Sequence, residues 1–314
     1  MAMQVTPVEI GVDVGKDELV WAQYGEKGIH KLPNRRKAIR RWLRRLPEHR
    51  CLAVEATNDY HMELAEQAYK LGLQVYLVNG YRLNRYREGV GTRAKTDACD
   101  ARLLARYLNR EKDDLIRWTP PPKAYRRIQR LLYRRASLVR AKTTLRQSFE
   151  GLAEMRAASD ALLRRMERLE LLLQKRLRQA MRDAGWWPQV QRVQAIEGIG
   201  ELNAIALVMA YHRGEFRSSD SFVAFLGLDV RVRDSGKLKG KRKLTNQGPR
   251  EIRRLLYNAA MAARRSTSWA DYYQRYRDRG MASTQALMIL ARKLVRVAFA
   301  LLRNESEYRP RAAA

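Results

Sequence analysis

The chain has 314 residues and carries 63 lysine and arginine side chains against 33 aspartate and glutamate side chains, a formal net charge of +30. A chain of this length suggests about two domains and can bury a substantial core. Its positive charges repel one another unless a polyanion screens them, which makes nucleic acid the leading partner. An anionic membrane surface is the rival.

Several protein classes are excluded by what the sequence lacks. It has no run of about 18 apolar residues and no signal-peptide pattern, which predicts a soluble intracellular protein without a membrane segment. Cys51 and Cys99 are too few for a disulfide framework, and the four histidines show no zinc spacing.

Strand and helix signals alternate through the first hundred residues. Apolar stretches predict strands over residues 8–13, 19–24, 28–32, 73–78 and a strand ending at Glu55, with helices over residues 34–45, 60–71 and 97–109. Three hairpin-linked strands followed by alternating helices and strands give the order of the ribonuclease-H-like fold. The sequence therefore predicts an α/β N-terminal domain of this class.

A helical region follows a chain break at Thr119 and the prolines of residues 120–122. From about residue 125 to 182, apolar residues recur every seven positions, at Leu131, Leu138, Leu145 and Leu152 and again at Met155, Leu162 and Leu169. This repeat predicts paired long helices or a coiled coil. The many arginines here form either a solvated helix face or a basic rod that grips a nucleic-acid backbone.

A second boundary is predicted at residues 185–188, where glycine and proline flank two tryptophans. The predicted organisation is an α/β domain over residues 1–118, a linker and coiled coil over 119–184, and a mainly helical C-terminal domain over 185–314.

Four carboxylates lie at positions where they could form one metal site. Asp13 and Glu55 are each the last residue of a predicted strand, and Asp97 and Asp100 share one face of the helix predicted over residues 97–109. Two-metal phosphodiester chemistry needs several hard oxygen ligands around ions about 3.5–4 Å apart, and Mg²⁺ prefers carboxylates. Taken singly, an aspartate at a strand end is more often a turn former, and Asp97 could merely favour a helix N-terminus.

Two C-terminal motifs suggest phosphate chemistry. Gly198, Ile199 and Gly200 precede an apolar helix and resemble a helix-hairpin-helix element, whose glycines let backbone N–H groups approach a phosphate. The alternative is a tight helix–helix turn without a ligand. Ser235 lies beside a glycine in a basic loop, where a hydroxyl nucleophile could be activated by cations or Mg²⁺. A serine in such a loop is more often a turn residue.

Candidate nucleic-acid contacts surround these motifs. Residues 81–87 interleave tyrosine and arginine, which predicts a loop that stacks on bases, with a helix carrying Tyr81 and Tyr86 inward as the alternative. The predicted contacts are Arg82, Arg85, Arg87, Arg93, Lys95, Gly198, Gly200, Arg231, Arg233, Lys237, Lys239, Lys241, Arg250 and Arg253.

The motifs together resemble the DEDD transposases of insertion-sequence family 110, which are related to the Piv-type DNA invertases. The resemblance is carried by residues 10–16 (IGVDVGK), 54–57 (VEAT) with Tyr60, 95–101 (KTDACDA), 198–200 (GIG), 225–228 (FLGL), 235–236 (SG) and 248–256 (GPREIRRLL). It covers nearly the whole chain. The chain departs from the family at Pro249, where asparagine is common.

The resemblance implies a RuvC-like nuclease domain, a coiled coil and a C-terminal transposase domain. It implies that Asp13, Glu55, Asp97 and Asp100 bind Mg²⁺, with Mn²⁺ as an alternative ion, and that Ser235 is the nucleophile. It also implies donor and target double-stranded DNA, a structured noncoding guide (bridge) RNA, a homo-dimer or tetramer, and a bacterial or archaeal cytoplasmic location at the nucleoid. Ser235 lies far from the carboxylates in sequence, so the site would be assembled between domains or subunits.

Two other functions remain open at this point. A Holliday-junction resolvase-like nuclease would use the same metal site with water as the nucleophile, and would form no covalent adduct. A non-catalytic RNA- or DNA-binding architectural protein would not need the carboxylates at all.

Overall fold

The computed structural model describes residues 8–47, 50–56, 59–92, 94, 96–231, 234–235, 238–239, 242–245 and 247–310. The chain divides into two compact units, Met1–Pro120 and Pro121–Ala314. The first boundary lies close to the predicted chain break, whereas the predicted separation of coiled coil and C-terminal domain stays a prediction. Within the described part of the chain, no helix combines the length and apolar character needed to cross a membrane.

The N-terminal unit contains one five-stranded mixed sheet. Its strands are β1 (Glu9–Val14), β2 (Glu18–Gln23), β3 (His30–Pro33), β4 (Cys51–Glu55) and β5 (Gln74–Val78), in the spatial order β3-β2-β1-β4-β5. The hairpin-linked strands β1, β2 and β3 pair antiparallel, and β4 lies parallel to both β1 and β5. This arrangement is consistent with the predicted ribonuclease-H-like fold.

Helices cover both faces of the sheet, because the strands alternate buried side chains between the faces. The helices are α1 (Arg36–Leu43), α2 (Met62–Lys70), α3 (Gly80–Gly89) and α4 (Asp97–Glu111), followed by a 3-10 turn at Lys112–Asp114. Ile39 and Leu64 pack with Ile10 and Val12 on one face. On the other face, Leu104 of α4 packs with Ala53 and Tyr76.

The predicted base-stacking loop at residues 81–87 is instead the helix α3. The Asn79 side chain caps its first turn by accepting a hydrogen bond of 2.8 Å from the Tyr81 backbone N–H. Leu83 is buried, and Tyr86 packs edge-on against Tyr107 with ring centroids 4.9 Å apart. Tyr81 remains exposed, so only Tyr86 faces inward as the alternative interpretation expected.

The C-terminal unit opens with two long helices, α5 (Lys123–Ser148) and α6 (Arg156–Asp183). They are joined by a turn with Gly151 at a φ of 85° and a 3-10 turn at Ala153–Met155. Cross-helix ion pairs join Arg127 to Asp183 and Arg146 to Glu167, so the helices run antiparallel. Leu162 and Leu169, two members of the seven-residue repeat, lie exposed on α6. The predicted coiled coil therefore stays a prediction beyond this helical pair.

The remaining helices form one apolar core. They are α7 (Trp187–Gln194), α8 (Glu201–Tyr211), α9 (Ser219–Phe225), α10 (Arg250–Ala263), α11 (Ala270–Asp278) and α12 (Ser283–Asn304). Leu207 of α8, Phe222 of α9 and Leu294 of α12 are fully buried there, together with Ile128 and Leu177 from the base of the α5–α6 pair. Short strands lie between α9 and α10: β6 (Val230–Arg231) pairs with β9 (Lys243–Leu244), and β7 (Asp234–Ser235) pairs with β8 (Leu238–Lys239).

Candidate metal centre and nucleic-acid contacts

Two neighbouring strands carry the first two predicted ligands. The parallel register pairs Gly11 with Ala53 and Val12 with Val54, and its continuation sets Asp13 beside Glu55. Side chains alternate between the two faces of a strand, and Ala53 packs with Leu104 of α4. Asp13 and Glu55 therefore lie on the face of the sheet that α4 covers.

The other two carboxylates stand in the first turn of α4. Thr96 begins this helix, since its side-chain oxygen accepts a hydrogen bond of 3.2 Å from the Cys99 backbone N–H. Asp97 and Asp100 follow three residues apart and share one helix face. Asp100 is only 7% exposed, which is unusual for an ionisable side chain and calls for a partner.

All four predicted carboxylates line one cavity of about 300 Å³, as the sequence predicted for a shared site. Burial, and then the negative charges of Glu55, Asp97 and Asp100, raise the pKa of Asp13 to about 6. The like charges are therefore close enough to disfavour one another's ionisation. A cation in this cavity would be strongly favoured.

Arg87 of α3 supplies one positive charge to the same cavity. It was predicted to contact nucleic acid, but it is buried and donates hydrogen bonds to the carboxylate of Asp100 and to the side-chain oxygen of Asn84. Sequence reasoning missed this role. Arg87 lies four residues after the buried Leu83, so helical spacing would have placed both on the inward face of α3.

The residues present fit a divalent metal ion by their chemistry. Four carboxylates in one partly buried cavity offer the hard oxygen atoms that Mg²⁺ and Mn²⁺ prefer. Among the described residues, however, no three acidic, histidine or cysteine groups already converge at metal-ligand spacing. Repulsion between the carboxylates and the pairing of Asp100 with Arg87 both oppose such convergence. An ion would have to draw the side chains inward.

The predicted nucleophile lies in the other compact unit. Ser235 belongs to the short strand β7, where its backbone is registered opposite Leu238 of β8. The side chains of Ser235 and Lys239 lie outside the described part of the structure. The predicted contacts that lie wholly outside the described residues are Arg93, Lys95, Arg233, Lys237 and Lys241.

The two glycines of the predicted helix-hairpin-helix element differ in environment. Gly198 has a φ of 88°, and a Cβ added there would come within 2.4 Å of the Ala263 side chain, so packing against the end of α10 explains this glycine. Gly200 precedes the first turn of α8, and an added Cβ there would meet no atom within 4 Å. Phosphate binding by this element stays a prediction.

The remaining predicted contacts lie at or near the surface. Arg82 and Arg85 are exposed on α3, and Arg85 pairs with Glu88 at 2.9 Å. Arg250 is exposed at the start of α10 and Arg231 is half-buried on β6. Arg253 donates a hydrogen bond of 2.6 Å to the Gly248 carbonyl, so part of its role is to hold the loop before α10.

A larger cavity of about 1160 Å³ lies in the C-terminal unit, between the β6–β9 pair and α12. Its walls include Leu244, Met288 and Ile289, with Arg292 among the polar groups. The described lining contains no carboxylate. It therefore cannot supply the acidic ligands of a metal site, and the smaller carboxylate cavity is the better candidate for catalysis.

Comparison with models of protein families agrees with the sequence motifs and with the topology of the five-stranded sheet. Residues 10–154 match the DEDD transposase profile of the IS110 type, and residues 190–274 match the profile described as "Transposase IS116/IS110/IS902 family". The chain belongs to this transposase family. The resemblance predicted from the motifs is thereby confirmed, and the family implies an enzyme that cleaves and recombines DNA.

Two relatives of this transposase are similar to it along most of their length. A "Probable family 20 transposase" of Pseudomonas aeruginosa is 28% identical over 96% of this chain and 98% of its own length. A "Pilin gene-inverting protein" of Moraxella bovis is 26% identical over 82% of this chain and 81% of its own. An insertion-element IS900 protein of Mycobacterium paratuberculosis is 35% identical, but over only 30% of this chain and 24% of its own.

Proposed function

We propose that this transposase excises and inserts a mobile element by metal-assisted strand exchange, with Ser235 as the nucleophile and a 5′-phosphoserine intermediate. The observation that carries the proposal is the single cavity shared by Asp13, Glu55, Asp97 and Asp100 in a member of a transposase family. These four carboxylates would hold Mg²⁺, or Mn²⁺ in its place. A divalent ion there would polarise the scissile phosphate and offset its developing charge.

The chemical step conserves the number of phosphate ester bonds. The Ser235 Oγ forms a bond to phosphorus, the bond from phosphorus to the DNA O3′ breaks, and the serine proton passes through solvent to the released O3′, which becomes a 3′-hydroxyl. The 3′-hydroxyl of the new partner strand then attacks the phosphoserine, which returns the serine and joins the strands. Because each ester bond replaces another, the exchange needs no ATP.

Ser235 and the carboxylates belong to different compact units. The reaction therefore requires the two units, from one chain or from two, to meet on the same DNA. A dimer or tetramer would also hold donor and target duplexes together. The exposed Leu162 and Leu169 of α6 are apolar side chains that a second chain could cover.

A structured RNA from the noncoding end of the element would supply sequence specificity by base pairing with donor and target DNA. The protein would then read backbone and shape rather than base edges. The net charge of +30 suits such a complex, because it must neutralise many phosphates. The exposed arginines of the α5–α6 pair and of α3 are candidate contacts.

An in vitro recombination assay tests the proposal. Full-length protein, Mg²⁺, the noncoding-end RNA, junction DNA and target DNA are mixed, and joined product is amplified across the new junction. Joined product should require every component and should be lost with Asp13→Asn or Ser235→Ala. An equal yield of joined product without the RNA would show that the reaction does not need a guide RNA. Cleavage without joining would instead favour the resolvase-like reaction with water.

A further inference from the structure

Arg87 is the cation of the carboxylate cavity. Arg87 is 8% exposed, and its guanidinium pairs with Asp100, which is 7% exposed. Among the described residues that line the cavity, it is the sole lysine or arginine. A guanidinium stays charged at any physiological pH, so this positive charge is permanent.

The position of Arg87 is fixed by its helix rather than by the carboxylates alone. Leu83, one turn earlier on α3, is fully buried, and Tyr86 packs on Tyr107. After the helix, the Thr92 backbone N–H donates a hydrogen bond of 3.2 Å to the Arg87 carbonyl. The guanidinium is thus delivered into the cavity by an anchored segment.

The pairing leaves part of Asp100 free for other partners. Arg87 donates to Oδ1 of Asp100, and the second carboxylate oxygen makes no such bond to Arg87. Four clustered carboxylates repel one another when no ion is bound, and a buried carboxylate without a counter-charge is strongly disfavoured. A fixed cation beside Asp100 lowers both penalties.

We propose that Arg87 is a positioning residue and the built-in counter-cation of the metal site. It holds Asp100 in the cavity and offsets part of the repulsion among the four carboxylates when no divalent ion is bound, and its charge weakens the binding of that ion. The inference rests on the proposed metal site. It deepens that proposal by naming the residue that sets the affinity of the site for its ion.

The test compares Mn²⁺ binding and thermal unfolding of the full chain, with Mn²⁺ titrated by calorimetry and Tm measured in EDTA. Arg87→Gln removes the charge, and Arg87→Lys keeps it. Arg85→Gln is the matched control, because Arg85 lies on the same helix but makes an exposed ion pair with Glu88. No DNA is present, so the readout does not depend on strand exchange.

Arg87→Gln should lower the Tm in EDTA by roughly 5–10 °C, because it leaves Asp100 buried without its counter-charge. The same variant should bind Mn²⁺ about tenfold more tightly or better, because the ion no longer meets a neighbouring cation. Arg87→Lys should stay within about threefold of the wild-type Kd, since it retains the charge. Arg85→Gln should change neither quantity.

Weaker Mn²⁺ binding by Arg87→Gln, or equal tightening by Arg87→Lys, would overturn the counter-cation role while leaving the metal site intact. A wild-type protein that binds no Mn²⁺ would overturn the metal site itself and this inference with it. If Arg87→Gln does not fold, Arg87→Gln combined with Asp100→Asn decides the matter. Recovery of a Tm within a few degrees of wild type supports the charge argument, and failure to recover it refutes it.

Discussion

Gly11 on β1 and Ala101 on α4 approach so closely that a Cβ added to Gly11 would lie 2.1 Å from the Ala101 carbonyl oxygen. The same atom would lie 2.3 Å from the Ala105 backbone nitrogen. Only glycine allows the helix backbone to rest at this distance from the strand. Because Asp97 and Asp100 begin α4, this contact sets how near they come to Asp13, two residues after Gly11.

Substitution of Gly11 by alanine should therefore displace α4 and open the carboxylate cavity. We expect a loss of about 3 kcal/mol in the free energy of unfolding, since the clash is with backbone atoms that cannot rotate away. Mn²⁺ binding should weaken about tenfold or more, because the ligand geometry is lost. Denaturant unfolding and calorimetry measure the two effects.

Gly89→Ala is the matched control for this prediction. Gly89 ends α3, and a Cβ added there would meet nothing within 4 Å. Its substitution should change stability by less than about 1 kcal/mol. Equal effects of the two alanines would show that the close approach of α4 to β1 does not shape the site.

Metal binding should depend on pH through Asp13. The pKa of this carboxyl is raised to about 6, first by burial and then by Glu55, Asp97 and Asp100. A metal ion must displace the proton, so affinity should be nearly constant above about pH 7 and fall as the pH drops through 6. At about pH 5 we expect Mn²⁺ binding to be roughly tenfold weaker than at pH 7. An isotherm unchanged down to pH 5 would contradict the raised pKa.

Asp13→Asn should stabilise the metal-free protein while abolishing cleavage. A carboxyl whose pKa is raised on folding contributes stability at low pH, and that contribution is lost as the pH rises through about 6. At about pH 7.5 the ionised Asp13 is therefore unfavourable, and asparagine should raise the Tm in EDTA by roughly 2–5 °C. The advantage should vanish at about pH 4.5, where Asp13 is protonated. A variant less stable than wild type at both pH values would refute this reasoning.

Salt should weaken nucleic-acid binding steeply, and exposed arginines should contribute to the slope. Arg250 is exposed at the start of α10, whereas Arg254 on the same helix is engaged by Glu251 at 2.6 Å. We expect Arg250→Gln to reduce the slope of log K against log salt by about one, because one phosphate contact is lost. Arg254→Gln should change it less. The measurement is a fluorescence-anisotropy titration of RNA or DNA over a salt series.

The sequence predicted the strands and the clustering of the four acidic side chains because both depend on local pattern, and the role of these side chains as metal ligands stays a prediction. Apolar stretches ending in Asp13 and Glu55 mark neighbouring strand ends, and the spacing of Asp97 and Asp100 fixes them on one helix face. Parallel pairing of β1 with β4 then brings the carboxylates together. Predicting these elements requires no information on long-range packing beyond the order of the strands.

Other features depended on contacts that a local pattern does not reveal. The alternation of tyrosine and arginine in residues 81–87 leaves both a base-stacking loop and a helix open, and the helix α3 forms because Leu83 and Tyr86 pack inward. Arg87 resembled its exposed arginine neighbours in sequence, although it pairs with Asp100 thirteen residues away. The sequence predicts phosphate binding at Gly198, which nothing in the structure tests, but it does not reveal that close packing against Ala263 of α10 also requires a glycine there.

We propose that Ser235 becomes joined to DNA in a reaction that needs the carboxylate site. The most direct measurement mixes protein, Mg²⁺, noncoding-end RNA and end-labelled junction DNA, then denatures the mixture and seeks labelled DNA that migrates with the protein. We predict an adduct with wild-type protein that is absent with Ser235→Ala, with Asp13→Asn and in EDTA. Cleaved DNA without an adduct, or an adduct that persists with Ser235→Ala, would contradict the account.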